Sequence, residues 1–242
     1  MKRLLTLALG LLVAGSAVAE NNDFLSDYSL LEEREGSLVN KVYFAPNALQ
    51  RLADYNSVLV DQPEIFIASD SKYKGAKGDQ LKQLADVARL ATIEQLELAG
   101  YTVADEPGAD VLYLRWAITE LYLNKKKRGF LSYTPIGMVV HATKSAAVRD
   151  LWKKIDIGEL SVELEVSDLV TGEVIAMAQS EQQGVRKQKG VDADVVTWQE
   201  LDAFFATIGA RIACSFDNSR RPESDWTSCV TVMIEPKNPE ED

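Results

Sequence analysis

Cys214 and Cys229 are the only cysteines of the chain. They enclose a loop of about fourteen residues that a single disulfide would close. Two separately buried thiols are the alternative. A metal site fits less well, because two cysteines and one distant histidine, His141, make a poor ligand set. Any Ser-His-Asp or Cys-His mechanism must also use His141, and no GxSxG elbow lies near it. It reads as a structural or surface histidine. Glu163 and Glu165 stand two apart, the spacing that puts both carboxylates on one face of a strand. An acid–base pair is one reading, but an alternating polar face is ordinarily a solvated one, and that is the expectation. Asp192 and Asp194 lack the glycine and the distal glutamate of a calcium loop. Gly75-Ala76-Lys77-Gly78-Asp79 lacks the spacing of a phosphate loop, and no GxGxxG occurs elsewhere. No resident cofactor or metal is expected.

One cluster contrasts with the rest of the chain. Lys125-Lys126-Lys127-Arg128 is a concentrated basic run in an acidic protein, and residues 129–148 after it are apolar and rich in small residues. The plain reading is a solvated strand-end loop followed by a core helix or flap. The functional reading is a partner-facing surface made of Lys125, Lys126, Lys127, Arg128, Phe130 and Met138. It would contact another envelope protein, or meet anionic lipid or envelope polymer peripherally. Lys144 and several Ser and Thr residues make the stretch too polar for a membrane span.

These residues need elements to position them. Val58-Leu59-Val60 and Ile65-Phe66-Ile67 flank Pro63, which predicts an interrupted or bent strand. A loop over residues 69–78 leads to a helix with Asp79 as candidate N-cap, ending near Ala99 before Gly100. Its apolar face is expected at Leu81, Leu84, Ala85, Ala88, Ala91, Thr92, Gln95 and Leu98. A short strand at Tyr101-Thr102-Val103 follows. Residues 111–123 suit a central strand that carries Arg115 and Glu120. Leu160, Val162, Leu164 and Val166 alternate with Ser161, Glu163, Glu165 and Ser167, and a turn at residues 168–172 returns the chain through residues 174–178. Residues 183–195 read as loop. Thr197 and Glu200 form a capping box for a last helix with Leu201, Phe204, Phe205, Ile208 and Ile212 on its buried stripe. A final strand is expected over residues 230–234. The order predicts one α/β (α+β) domain, a mixed sheet with two main helices packed on one face.

The chain opens with Met1-Lys2-Arg3, an apolar run, and small residues at Ala17 and Ala19, the three parts of a secretory signal peptide. The apolar run is shorter than the roughly 20 residues that span a bilayer. Cleavage after Ala19 would remove Lys2 and Arg3 with no acid, making the net charge of −11 more negative by two. So acidic a chain repels nucleic acid. The expected organisation is a signal peptide at 1–19, an N-terminal arm at 20–40, an envelope domain at 41–234 and an acidic tail at 235–242. The expected compartment is the periplasm, where the disulfide would form.

Phe24-Leu25-Ser26-Asp27-Tyr28, Ala99-Gly100-Tyr101 before Ala109-Asp110-Val111-Leu112, Pro135-Ile136-Gly137, Asp168 with Thr171-Gly172-Glu173-Val174, and the stretch from Trp198 to Phe205 occur in a telling order. In that order the chain resembles the bacterial domain of unknown function 3313, a group regarded as envelope lipoproteins. The resemblance implies an envelope protein without an assigned activity and carries over no catalytic residues. This sequence departs from the pattern in having no lipidation cysteine after its apolar run. More distantly, the strand–helix–strand core is similar to periplasmic domains of accessory envelope lipoproteins, the curli secretion lipoprotein among them; that is analogy of fold. The expected function is a non-catalytic envelope interaction or assembly-accessory role. The alternatives are a periplasmic module that binds a small molecule or polymer, and a carboxylate-dependent hydrolase. The sequence does not indicate an oligomeric state.

Overall fold

The computed structural model describes residues 23–34, 39–125, 155–180, 183–184, 198–229, 232, 234 and 235. The proposed signal peptide, Lys126, Lys127, Arg128, Phe130, Met138, His141, Asp192, Asp194, Thr197 and residues 236–242 lie outside them.

After an arm at residues 23–31 come β1 (Glu32–Glu33), β2 (Val39–Phe44), α1 (Ala48–Ala53), β3 (Ser57–Val60) and β4 (Glu64–Ile67). Then follow α2 (Gly78–Leu98), β5 (Thr102–Val103), β6 (Val111–Lys125), β7 (Ile155–Asp168), β8 (Val174–Ser180), β9 (Gln183–Gly184) and α3 (Trp198–Ser219). Among the described residues the strands form one nine-stranded mixed sheet, ordered β1-β2-β8-β7-β6-β3-β5, with β4 also on β6 and β9 also on β7. Strands β3 and β4 run parallel to β6, while β7 runs antiparallel to it from Leu112↔Asp168 to Lys125↔Ile155. Pro63 lies between β3 and β4; a residue without an N–H breaks the ladder there. The parallel step from β4 to β6 needs a long crossover, which α2 supplies.

Residues at alternate positions of β6 divide the sheet into two faces. Leu112, Leu114, Trp116 and Ile118 are wholly buried under the helices. Here Leu84, Val87, Ala88 and Ala91 of α2 meet Leu201, Phe205 and Ala206 of α3. Trp116 and Phe205 pack edge to face with centroids 6.2 Å apart, and each such side chain contributes about 1.5–3 kcal/mol by burial. Both main helices therefore cover one face of an α/β domain, as the sequence predicts. The other face, opposite the helices, carries Tyr113, Arg115, Ala117 and Thr119 of β6.

Five expectations change. The N-cap position of α2 is Lys77, not Asp79, because Gln80 Oε1 accepts the Lys77 N–H (2.8 Å) and starts the helix earlier. Leu98 is exposed while Val87 and Leu96 are buried; the helix ends at Leu98 and the chain turns away at Gly100, φ +86°. Strand β2 starts at Val39, inside the segment assigned to the arm. Gln183 and Gly184, read as loop, pair with β7. Val232 and Ile234 are not in a strand. They run along α3 instead, the Arg211 Nε donating to Val232 O (3.0 Å) and the Ile234 N–H to Thr207 Oγ1 (2.9 Å).

Candidate functional site

Along β7, Ser161, Glu163, Glu165 and Ser167 face away from the helices, as their alternation with Leu160 and Val166 requires. That row is not solvated. Glu163 and Glu165 are 2% and 3% exposed. The reason is tertiary: residues 23–31 lie across this face, and Phe24 and Leu25 bury themselves against Ala117 and Met177, with Tyr28, Leu31, Tyr43, Phe66 and Val174 around them.

The register brings the polar partners into line. Arg115 is opposite Glu165, and Gln179 of β8 is opposite Glu163. Arg115 Nη1 donates to Glu165 Oε1 (3.1 Å), and the backbone N–H of Ser26 donates to Glu165 Oε2 (2.8 Å). Glu163 accepts from Gln179 Nε2 (2.9 Å) and from the Tyr28 hydroxyl (2.7 Å). Arg115 also donates to Phe24 O (3.0 Å), lies 4.3 Å from the centroid of the Phe24 ring, and is 3.7 Å from Glu64. Burial, and then the hydrogen bond to Glu163, push the Tyr28 phenol up to about 12. Each carboxylate is thus occupied within the chain, as a buried charge requires. The arrangement fastens the arm to the sheet; it does not offer a free acid and base to a substrate.

Two further phenol–carboxylate pairs brace the domain. The Tyr55 hydroxyl donates to Asp168 Oδ2 (2.6 Å), and Tyr113 donates to Asp61. Burial first, and then these carboxylates, push both phenols up to about 12. Asp168 is held below its ordinary range, chiefly by the Tyr55 hydrogen bond and then by the Thr171 N–H in the β7–β8 turn.

Cys214 and Cys229 form the disulfide, with Cα atoms 5.6 Å apart. The bridge joins the last turns of α3 to Cys229, the residue just before the stretch 230–234 that was expected to be a strand. Asn218 stitches the same corner, donating to Thr227 O (2.9 Å) and accepting the Thr227 N–H (3.0 Å). Of the six residues of the predicted partner surface, only Lys125 is described; it ends β6, paired with Ile155. Among the described residues no group of three or more His, Cys, Asp or Glu side chains could hold a metal ion, and no helix is long and apolar enough to cross a membrane.

Sequence reasoning singled out Glu163 and Glu165 but missed Arg115, Tyr28 and Gln179 as their partners. The usable signal was Arg115, a lone cation inside an apolar run on a strand that the β7 pattern must pair with.

A mixed sheet with helices on one face and a polar, arm-covered row on the other defines an α/β domain whose buried Glu163 and Glu165 are hydrogen-bonded by its own residues. The chain belongs to the family described as protein of unknown function DUF3313, which matches residues 20–212. No curated protein matches it. Among solved structures it is similar to a PelC dodecamer from Paraburkholderia phytofirmans at 14% identity, covering 72% of this chain and 93% of that one, TM-score 0.34. It is also similar to a DUF4136 family protein from Bacteroides thetaiotaomicron at 12% identity, covering 72% and 95%, TM-score 0.35.

Proposed function

We propose that this chain is an exported periplasmic protein that binds another envelope component through the basic–apolar segment following β6. The observation that carries the reading is the pairing of Lys125 with Ile155. Lys125 and Ile155, which flank residues 126–154 in the sequence, are paired at one end of the long antiparallel β6–β7 ladder. The segment's basic run opposes the acid of the whole chain, which favours an anionic contact. The bridged cysteines support an oxidising compartment. The occupied carboxylates of Glu163 and Glu165 speak for an interaction role over a hydrolase.

Photocrosslinkers placed at Lys126, Phe130 and Met138 in intact cells should trap one envelope partner, and the mature protein should begin at Glu20. Deletion of residues 129–140 should abolish the capture. An N-terminus at Met1 in exported protein, or unchanged partners after the deletion, would sink the reading.

A further inference from the structure

The two ends of the sheet differ in charge and in polarity. Register places the starts of β3, β5 and β6 at one end, with Ser57 beside both Thr102 and Val111. The β7–β8 turn (Leu112↔Asp168) and the end of β2 (Phe44↔Ala176) lie at the same end. There α2 delivers the chain to β5, and Arg220, just after α3, donates to Tyr55 O and to Asn56 Oδ1 ahead of β3. Among the described residues, five of the seven exposed large apolar side chains gather at this end: Phe44, Leu49, Leu98, Val170 and Trp226. Leu98 is 74% and Val170 66% exposed. Single exposed apolar residues are ordinary, whereas a gathering of them marks an interaction site. The same end carries the exposed acids Asp54, Glu97, Asp105, Glu106 and Asp110. Its cations are engaged within the chain: Arg51 pairs with Glu173 (2.6 Å), Arg221 with Asp217 (2.5 Å), and Arg220 lies over the Tyr101 ring.

The opposite end, where β6 stops at Lys125, holds the loop between β4 and α2, whose Tyr73 N–H donates to Leu123 O (3.1 Å). Lys72, Lys74 and Lys77 are exposed along that loop, against Asp70 and, in the first turn of α2, Asp79. The basic run of the sequence also begins at this end, with Lys125.

We propose that copies of this chain associate head to tail, the apolar and acidic end of one docking on the lysine-bearing loop of the next. A second copy is the occupant that the charges select. Its Lys72, Lys74 and Lys77 complement the acids of the apolar end, whereas two apolar ends brought together would set acid against acid. The same acids repel an anionic lipid surface. Because the two surfaces differ, each added copy leaves one of each kind free, and the association continues into a ring or a filament. It needs no component from outside the chain, so it stands or falls apart from the partner proposed above.

Sedimentation velocity on the purified exported protein, from about 1 μM to about 1 mM, covers the range of weak association. At low salt the mass should rise with concentration past that of a dimer. Salt at about 0.5 M should weaken the association at least about tenfold, because exposed charges are screened. Leu98→Glu with Val170→Glu removes one surface, and Lys72→Glu with Lys74→Glu removes the other; all four positions are exposed, where substitutions seldom disturb a fold. Each double variant alone should stay monomeric. Mixed in equal amounts, the two should form a one-to-one dimer and nothing larger, since only one intact surface of each kind remains. A monomer at every concentration overturns the proposal. So does a dimer that survives the lysine substitutions, the mark of two like ends pairing, or a failure of the mixed variants to pair while the unmodified protein associates. Should a variant not fold, the unmodified protein still decides: association that stops at a dimer, or that strengthens with salt, overturns the head-to-tail contact.

Discussion

Arg115 is the residue on which the covered face turns, since it pairs with the buried carboxylate of Glu165 and also donates to the Phe24 carbonyl of the arm. Arg115→Leu should destabilise the protein by about 2–3 kcal/mol, less than for a fully buried pair because 28% of the Arg115 side chain is exposed. In a urea-melt double-mutant cycle with Glu165→Gln, the combined loss should fall short of the sum; strict additivity would mean that the pair is not coupled. The raised phenols of Tyr28, Tyr55 and Tyr113 make a pH prediction at the same scale. Each is neutral in the fold up to about 12 but ionises near 10 when unfolded. Their stabilisation is therefore complete below pH 10 and lost as pH rises from 10 to 12. Tyrosinate absorbance should lag in native protein, and unfolding should set in across that window. Asp168 has the opposite sign: its lowered value adds stability above pH 3.8 that is lost as pH falls through the folded value.

At the scale of elements, the joint between α2 and α3 rests on Gly209. A Cβ there would stand 2.8 Å from Thr92 Cα, 3.2 Å from Gln95 Cβ and 3.3 Å from Ala91 O. Gly209→Ala gains about 1 kcal/mol of helix propensity. It must nevertheless push two backbones apart, so a net loss of about 1–2 kcal/mol is expected. A rise in the urea midpoint would show that the helices have slack. The β6–β7 pair has a different irregularity: the register shifts between Thr119 and Tyr122, where Glu120 adopts φ +48°. Its carboxylate accepts the hydroxyl of buried Ser161 (2.9 Å), and Leu121 and Leu123 beyond the shift remain in the helix-side core.

For the whole molecule, the disulfide ties the end of α3 to the chain that follows it. Reduction, or a Cys214→Ser, Cys229→Ser double variant, should cost about 3 kcal/mol on the chain-entropy model. In a domain of this size that is a fall in Tm of about 6–12 °C. An unchanged Tm under reductant would mean that the Asn218–Thr227 hydrogen bonds and the Arg211 and Thr207 contacts hold this corner by themselves.

Local pattern was enough for the β7–β8 pair, the long apolar strand β6, the break at Pro63, the stop at Gly100 and the helices on one side of the sheet. Each of these depends on periodicity or on one residue's backbone preference, and both are written in neighbouring positions. The fate of Glu163 and Glu165 was not. Their alternation foretold a common face, but whether water or protein covers that face depends on Phe24 and Leu25, well over a hundred residues earlier. The same holds for Val232 and Ile234, whose strand-like composition yields to hydrogen bonds from Arg211 and Thr207. Periodicity assigns a side of an element; what lies against that side is decided only when distant segments compete for it.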